Sequence, residues 1–241
     1  MTEQLNNIDK PSLVLDIDET LIKSTMYTLS YIKKIENMTN GEKIHILNLD
    51  PILRNIISLN NLPIKHDNLF LTTFTIDKHV YIVMSRPYLK EFILLMHQYF
   101  NIHVYSLGMN DYIDTIIDAI IILTGINPFI NIIANTKTNR LLNKKLINLE
   151  IGLSNVLIID DRTDVWTYDK HNVLQILPYK LYEIFDNVKI AAKSYNILNE
   201  YDLSDDIELI KITNAVEIYF KKYEKIEFNI FLFKKILYAL R

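Results

Sequence analysis

Two short apolar runs, each ending in paired aspartates, constrain this chain more than any other feature. Ser12-Leu13-Val14-Leu15 leads into Asp16-Ile17-Asp18-Glu19-Thr20, and Val156-Leu157-Ile158-Ile159 leads into Asp160-Asp161-Arg162-Thr163-Asp164-Val165-Trp166. Apolar runs of this length, without polar alternation, read as parallel strands buried on both faces. In an open α/β sheet ligands bind beyond the carboxyl ends of the strands, which is where both acidic groups emerge. Residues i and i+2 of a continuing strand share a face, so Asp16 and Asp18 can converge on one cation. Alternatively, one can attack an electrophile while the other moves protons. Paired acids after a single strand are also found as helix caps or solvated turns. Two such strands far apart in one chain are hard to explain that way. Adjacent buried carboxylates repel, and the layout implies a bound cation.

Composition narrows the chemistry further. A chain of 241 residues, 49% of them apolar, suits one α/β domain with additions and is ample for one core. The absence of cysteine excludes disulfides, thiol catalysis and thiolate-zinc sites. With four glycines there is neither a phosphate-binding P-loop nor a dinucleotide fingerprint. The histidines lack metal-ligand spacing, and His103, on a strand, reads as packed. A net charge of −3 without a dense basic stripe gives no reason to expect direct nucleic-acid binding. The start is polar through Lys10 and does not read as a signal peptide. The richest apolar run, Ile113 to Ile126, is interrupted by Asp114 and Asp118 and is too short to span a membrane.

Periodicity supplies the remaining elements. Helical stretches are expected around Tyr27 to Glu36 and Leu53 to Leu59, within a long excursion after the first strand. Phe70 to Thr75 and His79 to Val83 read as paired strands turning at Asp77-Lys78. Pro87 is expected to start a helix to about Tyr99, and Asp111 to Leu123 and Phe129 to Ile133 read as a helix and a short strand. Two amphipathic helices close the chain. One presents Ile207, Ile210, Ala215, Ile218 and Tyr219, the other Ile226, Ile230, Phe233, Leu237 and Leu240.

Leu15-Asp16-Ile17-Asp18-Glu19-Thr20-Leu21 resembles motif I of the haloacid-dehalogenase superfamily of aspartate-nucleophile phosphatases. Asp160 through Trp166 resembles motif IV of its Fcp/Scp-type branch, the NLI-interacting-factor-like enzymes that dephosphorylate the C-terminal domain of RNA polymerase II. Three further segments are similar to that branch in the right order: Ser85-Arg86-Pro87 through Phe92, His103 through Gly108, and Ile176-Leu177-Pro178-Tyr179. The resemblance implies a Rossmann-like parallel sheet flanked by helices. It also implies a core over residues 1–185 with an insertion at 22–83, and a helical extension over 186–241.

The resemblance further implies that Asp16 is the nucleophile and that Asp18 is the acid and base. Magnesium would be held by Asp16, the Asp18 carbonyl and Asp161, with Asp160 behind them or exchanging roles with Asp161. Phosphate would be held by Ser106 and a lysine, Lys144 in preference to Lys145. Thr20, grouped with these, would orient Asp16 or cap its turn. Within Ile130 to Arg140, where the small members carry a phosphate-binding arginine, this chain has Asn135 near that position, leaving Arg140 or Lys137 as substitutes. The segment between motif II and the lysine is too short for a cap domain, which suits a phosphorylated peptide better than a metabolite. The implied partner is the phosphorylated polymerase tail, with no membrane, in the nucleus or cytoplasm. Another phosphoprotein, a nucleic-acid end, or a phosphopeptide scaffold without turnover remain as alternatives.

Overall fold

Leu13, Val14 and Leu15 are fully buried, and their side chains alternate between two cores on opposite faces of one sheet. The computed structural model describes residues 10–39, 65–66, 69–151, 155–179, 206–223 and 228–240. The strand containing these leucines, β1 (Ser12–Leu15), is the centre of a five-stranded sheet. The sheet runs β7 (Phe129–Asn135), β6 (Asn101–Met109), β1, β8 (Val156–Asp160) and β9 (Val173–Gln175), and every pairing is parallel. Parallel strands need crossovers, and the apolar faces those crossovers cover explain the continuous Leu-Val-Leu and Val-Leu-Ile-Ile runs.

On one face Leu15, Val104, Leu157 and Ile159 pack among side chains of four helices, α2 (Leu89–Tyr99), α3 (Asn110–Thr124), α4 (Glu208–Lys222) and α5 (Ile230–Ala239). On the other face Val14, Tyr105, Ile158 and Trp166 meet Leu146 and Leu149 of a single 3-10 turn. Each such aliphatic side chain contributes about 1.5–3 kcal/mol when fully buried. α3 stops at Gly125, whose φ of 77° closes the helix in the left-handed region that glycine enters without cost to a Cβ.

The segment after the first acidic pair departs from expectation. Ile22–Thr28, expected as part of an excursion leading into a helix at Tyr27, is a strand, β2. It pairs antiparallel with β5 (His79–Ser85), which pairs with β4 (Leu69–Ile76), and β3 (Lys65–His66) lies at the far edge. The helix, α1 (Leu29–Glu36), begins only after Thr28, whose hydroxyl accepts from Tyr31 N at 3.3 Å. Thr25, Tyr27 and Thr28 favour a pleated strand, and pairing along β5 overrides the local helical pattern. The helix expected at Leu53 to Leu59 lies outside the described residues. The hairpin turns at Asp77, φ 53°.

α2 starts two residues after Pro87, because Tyr88 takes a φ of 64° ahead of it. In α4 the buried stripe is Leu209, Ile212, Ala215, Val216 and Tyr219, whereas Ile207 and Ile218 are exposed. The face is therefore rotated from the expected one. α4 packs on α2 and α5, and in α5 Phe233 and Leu237 are buried but Leu240 is exposed. Among the described residues no helix is long and apolar enough to cross a membrane.

Candidate active site

β1 and β8 are neighbours with Leu15 against Ile159, so their acidic extensions leave the sheet side by side. Asp16 N donates to the Ile159 carbonyl at 3.0 Å, which carries the strand geometry one residue further. The chain then turns sharply. Leu21 N and Ile22 N both donate to the Ile17 carbonyl, and Glu19 adopts a φ of 60°. Asp16, Asp160 and Asp161 each offer a carboxylate oxygen, and the three atoms lie within 4.8 Å of one another.

Lys144 sits in the middle of this acid group. Its ammonium donates to Asp16 Oδ1 at 2.5 Å and to Asp160 Oδ2 at 2.6 Å, and only 2% of the residue is exposed. Burial acts to lower its pKa, but Asp16 and Asp160 outweigh that and hold it above the usual lysine range. Lys144 N donates to the Val165 carbonyl at 2.8 Å, so the loop after β8 fixes the lysine backbone. Trp166 from that loop lies under the ammonium, 5.6 Å to the ring centroid, and its indole N–H donates to Asp160 Oδ2 at 2.8 Å. Lys145 points elsewhere, over the Tyr168 ring.

Asp18 is turned away from the three-acid group. Its Oδ1 accepts from the Tyr112 hydroxyl at 2.5 Å and from Ser24 Oγ at 3.1 Å. Burial raises its pKa, and these two donors oppose the rise. Tyr112 stands on α3 and Ser24 on β2, so the sheet formed by the insertion reaches the acid pair. The Tyr112 ring also packs against Tyr81 and Phe74, at centroid distances of 5.1 and 6.0 Å. Sequence reasoning gave no site role to Tyr112, Ser24 or Trp166. Trp166 carried a local signal, its place in the run after Asp160.

Thr20 stands apart from its expected partner. Its hydroxyl is engaged by Asp161, accepting from Asp161 N at 3.0 Å and donating to Asp161 Oδ1 at 3.3 Å. No described hydrogen bond joins it to Asp16, and it does not line the cleft. The turn after β1 carries it sideways onto the β8 extension. Ser106 lies toward the carboxyl end of β6, and its hydroxyl oxygen accepts from Gly108 N at 2.9 Å, so that among the described residues its O–H is free to donate. A Cβ at Gly108 would come within 3.0 Å of Ile113 Cδ1 and 3.2 Å of Ser106 Oγ, so a side chain there would make these neighbours shift. Asn135 is structural, donating to the Leu107 carbonyl at 2.6 Å and accepting from Leu141 N at 2.5 Å. Arg140 and Lys137 do not line the cleft.

These groups surround a cleft of about 450 Å³ lined by Asp16, Asp18, Ser106, Lys144, Asp161 and Arg162 among others. Between β6 and the Lys144 loop the chain contains only α3 and β7, without a cap. The donor set fits magnesium: hard carboxylate oxygens, three of them converging, with open space for water and substrate. Crowding supports the same reading. Burial, with Asp160 adding to it against Lys144, pushes Asp16 up to about 7, and burial with Asp160 pushes Asp161 up to about 6.

That crowding predicts a pH effect in metal-free protein. The native state keeps a proton on Asp16 up to about 7, whereas the unfolded chain releases it near 3.8. Between those values the native state binds more protons, so stability falls as pH rises. Melting in chelator should therefore occur at lower temperature at pH 8 than at pH 5, and Asp16→Asn should shrink the difference. An equal or higher Tm at pH 8 in the parent protein would contradict the assignment.

The model of the NLI interacting factor-like phosphatase family matches residues 11–208. The chain belongs to this family. Its family core thus takes in both acidic strand ends, Lys144 and the start of α4. An RNA polymerase II C-terminal domain phosphatase of Caenorhabditis elegans is 28% identical over 205 residues, covering 78% of this chain and 29% of its own length. The enzyme of the same name from Encephalitozoon cuniculi is 32% identical over 124 residues, 50% of this chain and 30% of that protein. The chain thus spans less than a third of these curated relatives. Two solved structures share the fold. The fission yeast RNA polymerase II CTD phosphatase Fcp1 bound to beryllium fluoride has a TM-score of 0.52 at 17% identity, over 90% of this chain and 65% of that one. A further structure of Fcp1, an essential RNA polymerase II CTD phosphatase, has a TM-score of 0.53 at 20% identity, with the same coverage.

Proposed function

We propose that this chain is a magnesium-dependent protein phosphatase that hydrolyses phosphoserine or phosphothreonine in an extended peptide, with the RNA polymerase II C-terminal-domain tail as substrate. The observation that carries the reading is the division of the acid pair. Asp16 faces Lys144 at the base of the cleft, while Asp18 faces a phenol and a hydroxyl on the wall. Two carboxyls in unlike surroundings suit two roles, nucleophile and proton carrier.

In the first step an Asp16 oxygen attacks phosphorus in line, and the bond from phosphorus to the serine or threonine oxygen breaks. Asp18, whose burial favours the protonated carboxyl, gives its proton to that leaving oxygen. Tyr112 and Ser24 then hold the Asp18 carboxylate until it takes a proton from the water that attacks the aspartyl-phosphate, breaking the bond from phosphorus to Asp16 and releasing inorganic phosphate. Lys144 offsets charge beside Asp16, and the free Ser106 O–H donates to a phosphoryl oxygen. Asp16, Asp161 and the Asp18 carbonyl would hold magnesium, which supplies charge neutralisation of the phosphoryl oxygens when bound. Asp160 is the supporting acid, since Lys144, Trp166 and Arg162 N already occupy its oxygens. Thr20 acts on Asp161, holding the orientation of that carboxylate.

The substrate is supported by the uncapped cleft, by the Phe74, Tyr81 and Tyr112 cluster whose Tyr112 hydroxyl reaches Asp18, and by the names of the curated relatives. An intracellular location, nucleus or cytoplasm, goes with that substrate. Contacts remote from the phosphate help to position the reacting group. Phosphorylated heptad peptides should therefore be hydrolysed with a much higher kcat/KM than free phosphoserine, mononucleotides or unrelated phosphopeptides. Equal efficiency on free phosphoserine, or preference for a nucleotide, would reject the polymerase-tail assignment. Binding of the peptides without turnover would replace the enzyme with a scaffold.

A further inference from the structure

The cleft carries five carboxylates, Asp16, Asp18, Glu19, Asp160 and Asp161, against two cations, Lys144 and Arg162. Lys144 has committed two of its three donors to Asp16 and Asp160. A phosphoryl dianion entering this space needs a further cation with donors able to turn toward it. Arg162 has them. Among the described residues its Nε and Nη2 are held only by Asp164, at 3.1 and 2.6 Å, and the two side chains are 57% and 68% exposed. An exposed pair of this kind contributes little to stability, so it does little to oppose exchange of one acceptor for another.

The backbone beneath it is fixed. Arg162 N donates to Asp160 Oδ1 at 2.8 Å, so the long side chain pivots on a point anchored to the acid group. Asn135 is already engaged, both ends of its amide being bound by backbone.

We propose that Arg162 is the mobile phosphate clamp of this chain: its guanidinium leaves Asp164 and takes two non-bridging oxygens of the reacting phosphoryl group. The planar fork fits two such oxygens at once, which an ammonium cannot do. Asp164 is then the resting partner that competes with substrate. The inference rests on the phosphatase reading of the cleft.

The test is titration calorimetry of inorganic phosphate with magnesium at fixed ionic strength, alongside kinetics on an aryl phosphate. Arg162→Ala should weaken phosphate binding about tenfold and raise KM more than it lowers kcat, and Arg162→Lys should fall between. Asp164→Asn removes the competitor and should move phosphate affinity the opposite way, tightening it about twofold. Unchanged phosphate affinity in Arg162→Ala overturns the proposal. So does weakening by Asp164→Asn equal to that of Arg162→Ala, because the pair would then be a brace for the loop. Arg162-dependent phosphate binding in a protein that hydrolyses no phosphomonoester supports the clamp and overturns the phosphatase reading. Turnover with phosphate affinity indifferent to Arg162 does the reverse.

Discussion

Asp16→Asn is expected to lower turnover of an aryl phosphate by about four orders of magnitude or more, while the protein stays folded. The amide keeps the shape of the side chain and an acceptor oxygen for Lys144, but an amide oxygen does not form the covalent phosphoryl intermediate. The substitution also removes one charge from a crowded acid group, where burial already holds Asp16 up to about 7. Stability in the absence of metal should therefore hold or rise at pH 8, which separates loss of chemistry from loss of fold. A folded variant turning over near the parent rate would sink the nucleophile assignment.

Lys144→Met should have the next largest effect, and on stability as well as rate. Methionine keeps most of the volume but removes the ammonium that joins Asp16 to Asp160. Breaking a buried pair by deleting one partner costs about 3–5 kcal/mol, because charges are left uncompensated. Here Asp16 recovers part of that by taking up a proton. The deficit should thus be largest in metal-free protein at pH 8 and smaller at pH 5, where Asp16 is already protonated. Urea unfolding at the two pH values reads this directly. A variant as stable as the parent at pH 8, or one more destabilised at pH 5, would show that the ammonium does not balance the acids.

These two residues illustrate what short-range sequence could convey. The runs at Leu13 to Leu15 and Val156 to Ile159 are local signals, since an unbroken apolar stretch needs burial on both faces. From them follow parallel strands, and with those the emergence of Asp16 and of Asp160-Asp161 at one edge of the sheet. The helices at Leu89–Tyr99 and Asn110–Thr124 were placed from Pro87 and from the order of the family's motifs, with boundaries off by one or two residues. Lys144 could be placed beside the acids only through the order of family motifs. As an isolated lysine pair, Lys144-Lys145 reads as a solvated face.

What required the tertiary structure was every contact set by the relative placement of two elements. β2 has an ambiguous local pattern and becomes a strand through its pairing with β5. The donors on Asp18 come from α3 and from β2, and neither helix nor strand periodicity specifies which hydroxyl faces a carboxylate from another segment. Thr20 was expected to orient Asp16 or to cap its turn, and the turn through Glu19 brings its hydroxyl to Asp161, just past the adjacent strand. The rotation of the α4 stripe has the same origin, because Leu209 and Val216 are buried on a helix that packs on α2. Sequence by itself determined which residues emerge at the carboxyl edge of a buried parallel sheet, because that depends on burial within single segments. The tertiary structure decided which donors those acids meet, because hydrogen bonds between segments depend on how the segments are oriented in space.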